Sequence, residues 1–296
     1  MISLCFKSCI QPFLLEFAVH FSFLRASCTA LFFSTLTLFV TSSHAVLPQD
    51  SRHAGGIAVI EVSPDTKVAS LEENSVALII ENGKTYAIVG IPISATTGTH
   101  TLTTDHGNID FNVSDYAYPE QHITLKDTSK VNPDPEQLAR YQREAVEQNN
   151  IYKSFTPIQS TNFPQFIWPA HGRISSPFGF KRFFNEEPRA PHAGIDIAAG
   201  LGTVARAPAA GVIVQTGDYF FNGQTVMIDH GQGIISMLCH LSRIDVKIGQ
   251  TVAQGDPIGL VGMTGRATGP HLHFGVSLNN TRVDPMLVLP VESAKP

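Results

Sequence analysis

The sequence is poor in charged residues and has no excess of basic ones. Charged residues make up 15% of its 296 positions, and the 20 Lys and Arg against 25 Asp and Glu give a formal net charge of −5. Because no basic block stands out, the charge does not favour nucleic acid, and we expect no nucleic-acid partner. The hydrophobic share of 43% excludes a disordered chain, and the length suggests two folded regions.

Cysteine is also scarce. Three of the four cysteines, Cys5, Cys9 and Cys28, lie in the first 45 residues, so the rest of the chain keeps Cys239 alone and cannot form an internal disulfide. Cys239 stands within the apolar run IISMLCHL. A buried structural thiol is therefore expected there, rather than a nucleophile.

Residues 1–45 have the pattern of a signal peptide. Lys7 and Arg25 are their basic residues, residues 28–40 read CTALFFSTLTLFV, and small residues precede an expected cleavage after Ala45. Such a core is too short to span a bilayer comfortably. We expect export to the periplasm or cell envelope, with no stable membrane insertion after cleavage.

The alternative for this segment is an uncleaved anchor that uses the apolar residues from Ile10 onward. Glu16, His20 and Arg25 interrupt that stretch, which favours cleavage.

Residues 46–130 predict a small antiparallel β domain. They contain the short β-rich runs IAVIEV, VALII, TYAIVGI, NIDFNV and HITL. Asn82-Gly83, between two of these runs, predicts a hairpin with a type I′ turn. No chemistry is visible in this region, and whether it positions or inhibits an active site is left open.

Residues 131–165 predict a linker that contains one amphipathic helix. Asn132 is the expected N-cap, with Pro133 at the first helical position, and the helix should end near Asn149 and Asn150.

Residues 166–290 predict an antiparallel β-sheet domain. Glycine becomes frequent, short strands recur, and helical periodicity is almost absent. The predicted fold class is thus mostly β, with two β regions joined by a linker helix.

The second region contains three histidine-bearing strings. PHAGIDIA contains His192 and Asp196, LCHLS contains His240, and GPHLHFGV contains His271 and His273. Because side chains alternate faces along a strand, residues two or four apart point the same way.

Alternation therefore predicts that polar groups of three strands meet on one face, with apolar neighbours behind them. On this argument His240 lies opposite Met237, Cys239 and Leu241. Two neutral imidazoles and one carboxylate are a common ligand set for catalytic zinc, which keeps a fourth position open for water. A further histidine nearby could act as a general base.

The order of several strings adds a family resemblance. From about Gly172 to Pro285 the chain reads GRISSPFG, HAGIDIA, APAAGVI, IDHGQG, CHLSRI, VKIGQTVAQGDPIG and TGRATGPHLHF. This stretch resembles the LytM/lysostaphin-type zinc metallopeptidases, and the chain from residue 46 resembles their two-domain bacterial envelope members. Gly275 departs from the acidic residue that is frequent there, Cys239 from a small residue, and Lys181 from the usual arginine.

The resemblance implies roles for five residues. His192, Asp196 and His273 would bind one Zn²⁺ per chain, and His240 and His271 would flank the reacting water as catalytic groups. It remains open which of these two is the general base.

The implied function is an exported zinc endopeptidase that hydrolyses peptide bonds in peptidoglycan stem peptides or cross-links. Peptidoglycan is the expected partner, no protein partner is assigned, and the bond that is cleaved and the oligomeric state are left open. The alternative is a catalytically silent module that binds the cell wall or activates another hydrolase.

Overall fold

The structure is a computed structural model that describes residues 47–157 and 162–291. The predicted signal peptide, residues 1–45, lies outside the described residues. Within the described ranges, no helix combines the length and the apolar character needed to cross a membrane.

The chain is mostly β, as predicted, and its first half forms two small antiparallel sheets. One sheet has the strand order β1-β5-β4, and the other has the order β3-β2-β6-β7. The strands are β1 (Ile57–Val62), β2 (Ala69–Leu71), β3 (Asn74–Ser75), β4 (Ala77–Glu81), β5 (Lys84–Gly90), β6 (Gly98–Thr104) and β7 (Gly107–Val113).

The predicted hairpin turn between β4 and β5 is confirmed. Asn82 and Gly83 both have positive φ, 51° and 76°, as a type I′ turn requires, and Glu81 pairs with Lys84 across the turn.

A third sheet joins the two halves of the chain. It comprises β8 (Glu120–Ile123), β10 (Lys181–Phe184) and β11 (Glu187–Pro188). The run HITL therefore does not extend the first antiparallel sheets, because its β8 pairs in parallel with β10 of the second region. This pairing places β8 beside the sheet that bears the histidines.

The linker contains the predicted helix, α1 (Pro135–Tyr152), preceded by a 3₁₀ turn at Thr128–Lys130. The expected cap was wrong by two residues. Asp134, rather than Asn132, accepts a hydrogen bond from the Gln137 N–H, and the Gln137 side-chain oxygen accepts one from the Asp134 N–H, so Pro135 takes the first helical position. This capping box satisfies two terminal N–H groups at once.

Helix α1 packs through polar side chains and its last turn. Glu144 accepts hydrogen bonds from Arg140 and from the Phe220 N–H, and Arg140 also donates to the Asp218 carbonyl. Leu138 is 43% exposed, whereas Tyr152 in the last turn is buried. The helix is thereby held along the second region.

Ten further strands, in one large sheet, complete the second region among the described residues. Its largest sheet runs β17-β14-β15-β16-β19-β12-β9, with β18 beside β16, β13 beside β18, and β20 beside β19. The strands are β9 (Arg173–Ser176), β12 (Ile195–Ala198), β13 (Val204–Arg206), β14 (Gly211–Tyr219), β15 (Gly223–Asp229), β16 (Ile235–Ile244), β17 (Thr251–Val252), β18 (Pro257–Val261), β19 (Leu272–Leu278) and β20 (Thr281–Val283), followed by a 3₁₀ turn at Pro285–Leu287.

The two halves share one hydrophobic core. Ile57, Ile79 and Ile88 of the first half belong to the same buried cluster as Ile197 and Phe274 of the second. The first half is thus packed directly on the sheet that carries the candidate site.

Candidate metal centre

Strand pairing brings three predicted donor residues together. Asp196 of β12 lies opposite His273 of β19, and His192 precedes β12 in an extended loop. The Oδ1 atom of Asp196 lies 3.0 Å from His192 Nε2 and 2.9 Å from His273 Nδ1, and those two nitrogens are 3.0 Å apart. Two imidazole nitrogens and one carboxylate oxygen therefore form a compact triangle.

The donor set fits a tetrahedral zinc ion. Ligands at zinc distances of about 2.0–2.1 Å lie roughly 3.3 Å apart in a tetrahedron, close to the observed separations. His192 is buried, and its Nδ1 donates to the Pro177 carbonyl at 2.8 Å, so its Nε2 lone pair is free for a metal. Burial also lowers the pKa of His192 to about 4, which keeps this imidazole neutral at pH 7.

A close packing requirement is visible at Gly194. A Cβ atom there would lie 2.4 Å from the Phe274 carbonyl oxygen and 2.9 Å from His273 Nε2. The absence of a side chain lets the loop that carries His192 approach β19.

The third donor, Asp196, remains ionised. Burial by itself raises its pKa, but the adjacent His192 and His273 outweigh burial and hold the pKa well below its usual value. Its second oxygen, Oδ2, accepts a hydrogen bond from Arg182 at 2.6 Å. One carboxylate oxygen thus faces the imidazoles while the other faces a cation.

Sequence reasoning missed Arg182 and two residues around it. Ser176 Oγ lies 3.2 Å from His192 Nδ1 and accepts a hydrogen bond from Arg182 at 3.0 Å, and Gln121 of β8 accepts from Ser176 at 2.9 Å. The sequence did contain one signal for Arg182. Lys181 stands where the resembling family usually has an arginine, and Arg182 directly follows it. Nothing in the spacing indicated Gln121.

His240 reaches the centre by a route that strand alternation does not describe. Leu238 and Leu241 pack in the main core, whereas Met237 and Cys239 pack on the other face of β16. The prediction that His240 lies opposite Met237 and Cys239 was therefore wrong. His240 has a φ of 62°, and this irregularity breaks the alternation, so that two consecutive residues leave the core face.

His240 and His271 lie side by side at the centre. Their ring centroids are 4.6 Å apart, and His271 Nε2 is 3.8 Å from Asp196 Oδ1. The Nδ1 of His240 donates to the Thr264 carbonyl and that of His271 to the Gly269 carbonyl, each at 2.8 Å. In the neutral form of each ring, the proton therefore sits on Nδ1 and the Nε2 lone pair can accept a proton.

Burial lowers the pKa of His240 to about 3, and the neighbouring His271 and His273 act in the same direction. A neutral His240 side chain is thus favoured throughout the neutral pH range.

Two grooves meet at this centre. One, of about 340 Å³, lies between helix α1 and the large sheet and is lined by His273. The other, of about 280 Å³, is lined by Asp196, His271 and Gln121. An extended ligand could therefore lie across the donor triangle.

Among the described residues, no fourth His, Cys, Asp or Glu joins the donor triangle. The first half of the chain reaches the centre through Gln121, which contacts Ser176 and Arg182. The remaining cysteine, Cys239, is buried and unpaired, as expected.

Comparison with known families agrees with this geometry. The profile described as peptidase family M23 matches residues 190–285, and the profile of the peptidase family M23 N-terminal domain matches residues 53–116. A crystal structure of a Pseudomonas aeruginosa protein described as a peptidase of family M23 is 40% identical, covers 81% of this chain and 96% of that chain, and has a TM-score of 0.68.

Two curated relatives match the second region. Peptidoglycan DD-endopeptidase ShyA of Vibrio cholerae is 41% identical over 136 residues, which are 45% of this chain and 32% of ShyA. DD-carboxypeptidase/endopeptidase Mpg of Neisseria meningitidis is 44% identical over 116 residues, which are 39% of this chain and 27% of Mpg. The match thus spans about a third or less of these relatives.

Proposed function

Because the chain belongs to peptidase family M23, we propose that it is a zinc-dependent endopeptidase that hydrolyses peptide bonds in peptidoglycan. The observation that carries this proposal is the triangle of His192 Nε2, Asp196 Oδ1 and His273 Nδ1, with separations of 2.9–3.0 Å. When bound, zinc supplies a Lewis acid that polarises a carbonyl and lowers the pKa of water.

The substrate class is supported by the relatives, because ShyA and Mpg are named for endopeptidase activity and ShyA for peptidoglycan. Work on peptidoglycan requires an extracytoplasmic location. The signal-peptide pattern of residues 1–45 supports export to the periplasm or envelope.

The protein's own residues supply proton transfer. In their neutral forms His240 and His271 carry a free Nε2 lone pair, because each Nδ1 donates to a backbone carbonyl. One of them accepts the proton of the attacking water, and the other stabilises the charge that develops on the carbonyl oxygen. The two grooves hold the peptide on either side of the scissile bond.

The proposal predicts that some variants lose zinc together with activity, whereas others keep zinc and lose activity alone. We expect one zinc per chain in the purified protein, and chelator-sensitive release of fragments from intact sacculi. His273→Ala should lose both zinc and activity. His271→Ala and His240→Ala should keep zinc and lose at least about 100-fold in kcat, since general acid–base groups contribute about 10²–10⁴-fold.

The matched control is His171→Ala, because His171 is exposed and lies outside the donor triangle. Its zinc content and activity should equal those of the parent protein. Binding of sacculi without cleavage, unaffected by chelator, would instead support the catalytically silent alternative.

A further inference from the structure

The groove between helix α1 and the large sheet contains two arginines without an acidic partner. Arg266 and Arg282 line it together with His273. In the described part of the chain neither guanidinium forms a salt bridge, whereas neighbouring Arg182 pairs with Asp196. These cations are therefore free to meet an anion from outside the chain.

The single acidic residue among those lining this groove does not neutralise them. Glu144 accepts a hydrogen bond from Arg140 at 2.6 Å and another from the Phe220 N–H at 2.8 Å. Since Glu144 is engaged in this way, the uncompensated charge of the groove is positive.

Aromatic rings hold both guanidinium groups in place. The Cζ of Arg266 lies 4.3 Å from the Phe221 ring centroid and 4.4 Å from that of Phe184, and the Cζ of Arg282 lies 4.5 Å from that of Tyr152. Stacking on ring faces restrains a guanidinium while its N–H donors stay directed outward in its own plane.

Arg266 is half-buried, and no acidic side chain forms a salt bridge with it in the described part of the chain. Burial lowers its pKa to about 10, and the nearby positive charge of Arg182 acts in the same direction. A buried charge is ordinarily paired, because desolvation without a counter-ion costs free energy. A bound anion would compensate that cost.

We propose that Arg266, assisted by Arg282, binds a free carboxylate of the peptide substrate in this groove and thereby selects anionic peptides. This inference rests on the proposed function and names a specificity determinant for it. A guanidinium offers a carboxylate two parallel N–H donors. Stem peptides of peptidoglycan carry free carboxylates, and amidation removes both their charge and one acceptor oxygen.

The test compares two soluble cross-linked muropeptides that differ only in whether these carboxylates are free or amidated. For the zinc-loaded protein, kcat/KM should be about 10- to 100-fold higher on the free form, as expected for a charge-assisted pair. Arg266→Gln should lower kcat/KM on the free form, mainly through KM, and leave the amidated form nearly unchanged. Arg282→Gln should reduce the preference less.

Arg266→Lys keeps the charge but loses the bidentate geometry, so an intermediate preference is expected. If a melting measurement shows that Arg266→Gln is unfolded, Arg266→Lys replaces it as the test of the carboxylate preference. The matched control is Arg243→Gln, because Arg243 is exposed and paired with Asp245 and does not line the groove. Its preference should equal that of the parent.

Failure of this inference can be told from failure of the proposed function. Equal cleavage of both muropeptides, or equal slowing of both by Arg266→Gln, would overturn the carboxylate site while the endopeptidase remains. If neither is cleaved, calorimetry with free and amidated uncross-linked stem peptides still decides. Tighter binding of the free form, lost in Arg266→Gln, would support the site, and equal Kd values would overturn it.

Discussion

Asp196 presents its two carboxylate oxygens to different partners. Oδ1 faces the two imidazoles, and Oδ2 accepts a hydrogen bond from Arg182 at 2.6 Å. Holding one oxygen in this way leaves the other to act as a single-atom metal ligand. Partners of this kind orient a ligand and raise the affinity for the metal.

Arg182→Gln should therefore weaken zinc binding by about 10- to 100-fold, the usual effect of losing a partner of a metal ligand. Competition with a zinc-sensitive chelator measures it. The matched control is the adjacent Lys181→Gln, because Lys181 is exposed and its side chain has no hydrogen-bond partner among the described residues. Equal zinc affinities for the two variants would contradict a role of Arg182 in holding Asp196.

His230 is another buried imidazole, remote from the donor triangle. Its Nδ1 and Nε2 contact the Ala210 carbonyl and Ser236 Oγ, each at 2.8 Å, and burial lowers its pKa to about 4. The unfolded chain takes up a proton near pH 6.5, whereas the folded protein resists protonation to about pH 4. Stability contributed by neutral His230 is thus present above pH 6.5 and is lost as the pH falls toward 4.

The free energy of unfolding of the metal-free protein should decrease between pH 7 and pH 4, with His230 contributing on the order of 2 kcal/mol. His192 and His240 act in the same direction, since burial lowers their pKa values too. His230→Gln should flatten the dependence relative to the parent in urea unfolding at each pH. Parallel curves would refute this contribution.

At the scale of secondary structure elements, helix α1 contributes one wall of the arginine-lined groove. Its start is defined by the capping box of Asp134 and Gln137, and its last turn by buried Tyr152, which contacts Met237. Because the face between them contacts the sheet mainly through polar groups, the helix depends on its cap more than an apolar helix would.

Asp134→Ala should lower the free energy of unfolding by about 1 kcal/mol, because the Gln137 N–H loses its acceptor. The midpoint of urea unfolding measures this change. Asp134→Asn keeps an acceptor oxygen and should lie close to the parent protein. An alanine variant as stable as the asparagine variant would show that the cap is not needed.

Strand β16 shows where the alternation of side chains fails to predict which face a residue occupies. Period-two alternation correctly placed His273 of β19 and His271, which directly precedes β19, on one face, with Leu272 and Phe274 in the core. It misplaced His240, whose positive φ inserts a break that no apolar pattern reveals. The local hairpin at Asn82 and Gly83 was predictable because its two residues alone determine the turn.

At the scale of the whole molecule, amide side chains attach the first half to the large sheet. Asn279 accepts from the Gly90 N–H at 2.6 Å and donates to the Gly90 carbonyl at 3.1 Å, and Gln232 makes the same pair of contacts with Leu78. These amides extend the hydrogen bonding of β4 and β5 into the second region.

Asn279→Ala should therefore destabilise the protein by about 1–3 kcal/mol, because it leaves buried backbone groups of Gly90 unsatisfied. Asn280→Ala is the matched control, since Asn280 also has positive φ, 61°, but among the described residues its side chain hydrogen-bonds the Asn74 side chain, at 3.3 Å, rather than a buried backbone group. The alanine at 280 should cost distinctly less in thermal or urea unfolding. Equal losses would assign the effect to backbone strain instead.

The sequence by itself determined the β-rich class, the linker helix, the turn at Asn82-Gly83 and the five polar side chains that converge. Each depends on local periodicity, turn chemistry or a short motif. Only the tertiary structure decided that β8 pairs with β10, that Arg182 holds Asp196 and that Arg266 and Arg282 face the groove with no salt-bridge partner among the described residues. These depend on contacts between residues far apart in the chain, and such contacts leave no periodic trace in the order of amino acids.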